Sequence, residues 1–346
     1  MTLLSGLAGD PEVEAFFTDA AEIGAMLRFE SALAGAEAAA GLIAPEAAAR
    51  IAEACAAFVP DWSALRAGLA RDGVVVPDLV RQLRAAVGEP HAKSLHRGAT
   101  SQDVIDTGLV LRLAPVLDLL DGRLDALDAA LAALSARDGA ASLMAQTRMQ
   151  RALPFTAADK VETWRGPLPR HRARLDALRP RLLRVQLGGP VGTRAELGAA
   201  GAAVAAHMAG RLGLADAPAW HAQRDGIVEL GAWLALVAGT LGKLGQDVAL
   251  MVQNELGAVR LAGGGTSSAM AHKSNPVPAE VLVALARHVA GLSGTLASAL
   301  VHENERSGAA WTLEWLVLPP MVVATGAALR TALSLVPNLS FPSQPA

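Results

Sequence analysis

Three stretches of this sequence carry polar side chains at the edges of otherwise apolar, helix-forming blocks, and chemistry would have to occur there. The first is His96-Arg97-Gly98-Ala99-Thr100-Ser101-Gln102-Asp103. The second is Gln146-Thr147-Arg148-Met149-Gln150, with Pro154 beyond it. The third is Gly263-Gly264-Gly265-Thr266-Ser267-Ser268-Ala269-Met270-Ala271-His272-Lys273-Ser274-Asn275-Pro276. Thr100 and Ser101 stand just ahead of a helical block, where hydroxyls and free backbone N–H groups can bind an anion. An N-cap is the structural alternative for either residue, and the two roles can coexist. Thr147 and Gln150 offer neutral hydrogen bonds of the kind a carboxylate accepts. The third stretch joins hydroxyls, an amide and an ammonium group on a glycine-rich loop, which can close over a ligand and stabilise negative charge in a site emptied of water. Read alone, that run is equally a Gly/Ser connector entering a helix, with Pro276 near its first turn.

The elements that must position these residues are helical. Alanine and leucine dominate, there is no tyrosine, and aromatic residues make up only 3% of the chain, so the material for an extensive sheet is missing. Apolar residues recur at helical spacing over 19–57, as in Ile23, Met26, Leu27 and Leu33, with Gly41 and Pro45 marking a turn. Asp61 begins another helix, and 73–77, with its three consecutive valines, is the only short piece that could be extended. Longer helical blocks follow at about 102–137, 154–185, 194–212, 224–259, 276–300 and 312–335. Joined by Gly/Pro-rich loops such as Leu187-Gly188-Gly189-Pro190-Val191-Gly192-Thr193, they predict an elongated bundle whose exposed apolar faces favour self-association. The expectation is an all-α chain with an N-terminal helical domain over 1–95, a central bundle over 96–336 and a loosely held tail over 337–346.

Composition excludes several classes. With 30 basic and 33 acidic residues spread along the chain, no cationic stripe is available for a phosphate backbone, so a nucleic-acid partner is not expected. Single Cys55 sits among alanines and reads as a small buried apolar group. Residues 1–9 lack the basic region and apolar core of a signal peptide, which points to the cytoplasm. A mean hydropathy of +0.33 raises the question of a membrane span over 226–242. Glu229 and Lys243 bound that run, and a helix apolar on most faces can equally lie at the centre of a bundle, so no membrane is expected. His302-Glu303-Asn304-Glu305-Arg306 lacks the second histidine of a zincin helix, and no phosphate loop or dinucleotide fingerprint occurs. Around Ser267 the closing glycine of a nucleophile elbow is absent, and no strand is expected before it.

The three polar stretches resemble, in order, the His-x-Gly-x-Thr-Ser-x-Asp-Val, Thr-x-x-Gln-x-x-x-Pro and Gly-Ser-Ser-x-Met-Pro-x-Lys-x-Asn-Pro segments of the fumarase/aspartase superfamily. The likeness extends over nearly the whole chain. It implies proton transfer at a carbon next to a carboxylate, with Ser267 moving the proton, Lys273 and Asn275 holding the carboxylate that gains charge, and His96 contacting substrate. Ser268 and Met270 would line the substrate. A serine of ordinary acidity is a poor base, so Ser267 requires local activation, by Lys273 and loop amides.

Arg148 stands where the adenylosuccinate and argininosuccinate lyases have a histidine, which argues against an amine-eliminating lyase. Residues 303–319 resemble the Glu-Arg-x-x-Gly-x-Trp-x-x-Glu-Trp-x-x-Leu-Pro stretch of bacterial 3-carboxy-cis,cis-muconate cycloisomerases. Trp311 and Trp315, taken singly, read as core residues. The resemblance implies reversible lactonisation of a tricarboxylate in protocatechuate catabolism, with no metal or organic cofactor, in a homotetramer whose sites combine segments of three chains. Thr100, Ser101, Thr147 and Gln150 would bind carboxylates, while Arg97, Arg148 and Arg306 offset the remaining charge. Another superfamily lyase, such as adenylosuccinate lyase, and a scaffold of the same fold without turnover are the alternatives. Thr266 replaces a usual glycine and Ala271 a usual proline, which alters how the loop closes. Superfamily members usually carry a further helical domain, and this sequence ends near its start, as a naturally short chain or a truncated one would.

Overall fold

One helix of 38 residues, α7 (Ser101–Asp138), forms the axis of the protein. Leu109, Leu113, Val116, Leu117, Leu120, Leu124, Leu127, Leu131 and Leu134 recur along it at helical spacing and all are buried. At ~1.5 Å per residue it runs about 57 Å.

The computed structural model describes residues 3–266, 270 and 274–342. Ahead of α7 come α1 (Leu3–Ala8), α2 (Pro11–Glu14), α3 (Asp19–Ala39), α4 (Pro45–Ala56), α5 (Trp62–Asp72) and α6 (Val76–Val87). After it, a hairpin of β1 (Ser142–Thr147) and β2 (Gln150–Thr156) leads to α8 (Ala157–Arg165), α9 (Pro167–Leu182), α10 (Gly201–Leu212) and α11 (Asp225–Met251). The short strands β3 (Arg260–Leu261), β4 (Gly265–Thr266) and β5 (Ser274–Asn275) precede α12 (Val277–Ser298), α13 (Gly308–Leu335) and β6 (Leu339–Ser340).

Side-chain pairs set the helix directions. α8 and α9 return antiparallel to α7 through Arg165–Asp128, Arg172–Asp121 and Arg179–Asp118. α11 runs back antiparallel to them, tied by Trp233 Nε1 donating to His171 O (2.9 Å) and Trp164 Nε1 to Asp247 Oδ2 (2.8 Å). α12 descends against α11 where Gly242 and Gly245 let the backbones touch: a Cβ on Gly245 would lie 2.5 Å from Ala279 O, and one on Gly242 would overlap Ala286. α13 runs parallel to α7, with Trp311 Nε1 bonded to Asp106 at one end and Gly326 O accepting from Arg123 further along.

The core has two parts. One fills the bundle. The other joins Phe29 and Leu33 of α3, Ile51 of α4, Leu65 of α5 and Leu79 and Leu83 of α6, and is completed by Val104 and Ile105 of α7 and Val204 and Met208 of α10. Residues 1–95 therefore rely on later segments to cover their apolar faces. α11, α12 and the stretch 308–338 are long and apolar enough, by length and composition, to cross a membrane. In α12 only 28% of the most apolar window is buried within the chain.

Several expectations need correction. The block 154–185 opens as strand, since β2 runs to Thr156 and pairs antiparallel with β1. Residues 73–77 are not extended: Gly73 caps α5 at φ +72, and Val76 and Pro77 already belong to α6, with proline in a first turn that has no need of its missing N–H. A two-residue strand, β4, does precede Ser267. The tail is held as far as residue 342, because Leu339 pairs with Leu261 and buried Phe341 stacks 6.3 Å from Trp164. Asp61, by contrast, caps α5 as expected, accepting the Ala64 N–H at 3.0 Å.

Gly245→Ala tests the α11–α12 contact. Despite alanine's better helix propensity, the added methyl is expected to destabilise the protein by about 1–3 kcal/mol in urea unfolding, because Ala279 O cannot yield without moving α12.

Candidate active site

At the start of α7 the chain solves a problem of orphan donors. Helix N-termini leave N–H groups without intrahelical partners, and Asp103, fully buried, reaches back so that Oδ2 accepts the Thr100 N–H at 3.0 Å. The same carboxylate accepts Gly188 N–H (2.8 Å) and His221 Nε2 (2.7 Å) on Oδ1, and Gly189 N–H (2.9 Å) on Oδ2. Gly189 has φ +68, and a Cβ there would lie 2.9 Å from Gly98 O. The Gly188-Gly189 turn thus rests directly on the loop that carries His96 and Arg97.

Arg306 joins the same cluster. Its Nε donates to Gln102 Oε1 at 3.0 Å and its Nη2 to Pro190 O at 3.1 Å, while Gln102 Nε2 donates to His221 O at 2.9 Å. Both acceptors of Arg306 are neutral, so these bonds orient its charge without cancelling it. Thr100 and Ser101 are half-buried beside it. Arg97 is exposed, and its Nη1 donates to Leu42 O at 2.7 Å. His96 sits in the left-handed region at φ +60, with Nδ1 2.6 Å from Glu30 Oε1. Burial opposes charge on the imidazole, but the Glu30 carboxylate outweighs it, aided by Asp103 and opposed by Arg84, so the His96 pKa lies above the ordinary histidine value.

Beneath this surface lies an ion cluster that sequence motifs do not announce. Arg224, fully buried, donates to Asp106 Oδ2 (2.7 Å) and Oδ1 (3.1 Å), to Glu314 Oε1 (2.9 Å) and also to Glu314 Oε2. Its guanidinium lies 4.8 Å from the centre of the Trp220 ring. Trp311 Nε1 adds a 3.0 Å bond to Asp106 Oδ1. Burial pushes the Glu314 carboxyl up while Arg224 pulls it down, leaving it above the usual carboxylate range. His302 lies 3.6 Å from Glu314, and burial, with Arg224 nearby, holds its pKa below the ordinary histidine value.

The other candidates stand at the far end of α7. Thr147, Arg148 and Gln150 are exposed on the β1–β2 hairpin. Its two-residue turn, Arg148-Met149, has φ +51 and +65, the geometry of a tight hairpin turn. The glycine-rich loop is at this end too: β3 pairs with β6, and Leu339 O accepts from Arg137 in the last turn of α7. Asn275 is half-buried and pairs with Gly265, and Met270 is 43% exposed. Ser267, Ser268 and Lys273 lie outside the described residues. The candidates therefore fall into two groups attached to opposite ends of a helix about 57 Å long. Among the described residues, a single chain brings His96, Arg97, Thr100, Ser101 and Arg306 to one end and Thr147, Arg148, Gln150 and Asn275 to the other.

Asp106, His221, Arg224 and Glu30 lie outside the motifs read from sequence, while Asp103 and Glu314 stand within them without an assigned role. A signal existed for two of them, since Asp103 and Asp106 interrupt a stretch from Gln102 to Leu111 in which every residue is buried.

Residues 10–291 match the lyase family. The chain is 43% identical to the 3-carboxy-cis,cis-muconate cycloisomerase of Pseudomonas aeruginosa, over 96% of this chain and 74% of that protein. It is 42% identical to the Pseudomonas putida protein of the same name, over 93% and 78%. The crystal structure of 3-carboxy-cis,cis-muconate lactonizing enzyme from Pseudomonas putida superposes with a TM-score of 0.93 at 40% identity, covering 99% of this chain and 77% of that one.

Asp103→Asn replaces an acceptor of four N–H groups with an amide that itself carries donors. It is expected to cost about 3 kcal/mol in chemical denaturation, and a loss under about 1 kcal/mol would show that the carboxylate does not hold this end of the molecule together.

Proposed function

The chain belongs to the lyase family, among its 3-carboxy-cis,cis-muconate cycloisomerases, and on that footing we propose that it converts 3-carboxy-cis,cis-muconate to 4-carboxymuconolactone in protocatechuate catabolism. The observation that carries this reading is the 43% identity that runs through 96% of the chain. In the reaction a substrate carboxylate oxygen forms a C–O bond to one carbon of a double bond, and the neighbouring carbon takes a proton. No atoms leave, and one proton is gained from the medium.

The residues divide this work. Ser267 delivers the proton to carbon. Lys273 and Asn275 hold the carboxylate that accumulates charge, and Ser268 and Met270 line the substrate. Thr100, Ser101, Thr147 and Gln150 hydrogen-bond the other carboxylates. The substrate carries three negative charges, which makes cations necessary in a protein of net charge −3. Arg306, whose Nε and Nη2 donate to the neutral oxygens of Gln102 and Pro190, supplies one beside the first turn of α7. Arg97 and Arg148, both exposed, supply others, and His96 contacts substrate from the adjoining loop.

For these residues to meet, chains must associate. The placement of the described candidates at opposite ends of α7, a helix about 57 Å long, is the first support for this, and it agrees with the tetramer that the family resemblance implies. The second is the apolar surface left uncovered: Leu236 on α11, most of one face of α12, and Met144, Met149 and Leu153 on the hairpin. We read the three long apolar helices as bundle and subunit contacts rather than membrane spans. Cys55 is buried among apolar neighbours, and burial pushes its thiol up to about 12, which suits a structural residue in a reducing cytoplasm.

Two experiments test the proposal. Loss of 3-carboxy-cis,cis-muconate absorbance should be rapid with the unaltered protein and slower by about 10²–10⁴ with Ser267→Ala; absence of turnover in the former sinks the substrate assignment, and full activity in the latter sinks the role of Ser267. Mixing inactive Ser101→Ala, altered at the start of α7, with inactive Ser267→Ala, altered in the glycine-rich segment, should restore activity after reversible dissociation. If a site were built within one chain, the mixture would stay inactive.

A further inference from the structure

Two carboxyl groups are buried on one face of α3 with no role in the reaction as described. Glu30 is 1% exposed and Glu37, two turns on, is fully buried. Among the described residues, Glu30 Oε2 and both Glu37 oxygens have no hydrogen-bond partner. Unpaired buried carboxyls are costly unless they hold a proton or serve a purpose. Glu30 uses its other oxygen for one contact, at 2.6 Å to His96 Nδ1, and the side chains are 0% and 14% exposed respectively.

The approach to that contact is also unusual. His96 adopts φ +60, a conformation that costs a residue with a Cβ roughly 1–2 kcal/mol. Leu95 before it is fully buried, and Gly98 after it, at φ +65, packs against Leu197 where a Cβ would overlap. The backbone is thus clamped on both sides in the one arrangement that turns the imidazole toward α3.

We propose that Glu30 is a positioning residue for the reaction: by accepting the Nδ1–H of His96 it fixes the ring, keeps its charge, and leaves Nε2–H as the donor that meets a substrate carboxylate. This rests on the reading of His96 as a substrate contact. It extends that reading by naming the group that makes the histidine cationic in a nearly buried place.

The charged and titratable surroundings fit this arrangement. From α3 come Glu30 and Glu37, from α4 Cys55, from α6 Arg84, from the loop Arg97, and from α7 Asp103; Arg211 of α10 packs over Gly35 between the two glutamates. Arg84, Arg97 and Arg50 of α4 all donate to backbone carbonyls, those of Leu95, Leu42 and Val87. No arginine bond to Glu30 occurs among the described residues, so His96 has it without a competitor. Burial raises the Glu37 carboxyl to about 8, against the pull of Arg97. Near pH 7 it therefore holds a proton.

The test compares Glu30→Gln, Glu30→Asp and His96→Asn by ring ¹⁵N NMR of His96 and by the pH dependence of kcat/KM. Removing the carboxylate leaves burial to dominate, so in Glu30→Gln the His96 titration midpoint should fall by about one pH unit or more. Its kcat/KM should drop about thirtyfold at neutral pH and recover as pH is lowered through the new midpoint. Glu30→Asp, which keeps the charge, should retain more than about a third of kcat/KM. It also carries the test if the glutamine variant does not fold, since withdrawing the oxygen should still lower the His96 midpoint. A folded Glu30→Gln whose His96 titration and pH profile superpose on those of the unaltered protein overturns the proposal. Full activity in His96→Asn would instead remove the substrate contact on which it rests, and the NMR titration would separate the two failures.

Discussion

Burying the Asp103 carboxylate inside an apolar bundle is tolerable only because four N–H groups converge on it, and that requirement organises the end of the molecule where α7 begins. Two of the donors are consecutive backbone amides, Gly188 and Gly189, so the loop that bears them has to lie flat on the start of α7. A third is His221, which in turn offers its carbonyl to Gln102 and thereby orients Arg306. One turn later Asp106 repeats the pattern with Arg224, and draws Glu314 and Trp311 of α13 to the same place. Segments separated by more than a hundred positions in sequence are thus registered by two side chains, three residues apart on one helix.

This division of labour separates what sequence could reveal from what it could not. The long helices were legible because leucines at helical spacing leave little freedom in α7, and because Asp61 is a cap whose partner lies three residues away. The hairpin was not. Its strands are mostly exposed, β2 contains Pro154, and Arg148-Met149 lacks the glycine or asparagine that marks such a turn. The valines at 74–76 misled because β-branched residues also start helices when a proline follows in the first turn.

At the site, the polar stretches were readable as motifs, since a few residue types in order suffice for a resemblance. Their supports were not, because Asp103 meets His221 and Asp106 meets Arg224 only through the tertiary fold. Glu30 is the sharpest case: on a helical wheel it is one acid among many, and its burial follows from α4, α7 and α10 closing over α3.

The hairpin turn has a further implication. Arg148 and Met149 both hold left-handed backbone conformations, each unfavourable for a side-chain-bearing residue, and Met149 leaves 74% of its surface in water. The β1–β2 pairing, with Thr147 opposite Gln150, holds the turn in this shape. Its strain is a fixed quantity that a covering surface need not supply again, and docking against it loses less conformational entropy than docking against a glycine turn would. The residue types that made the hairpin hard to read also make it rigid before anything touches it.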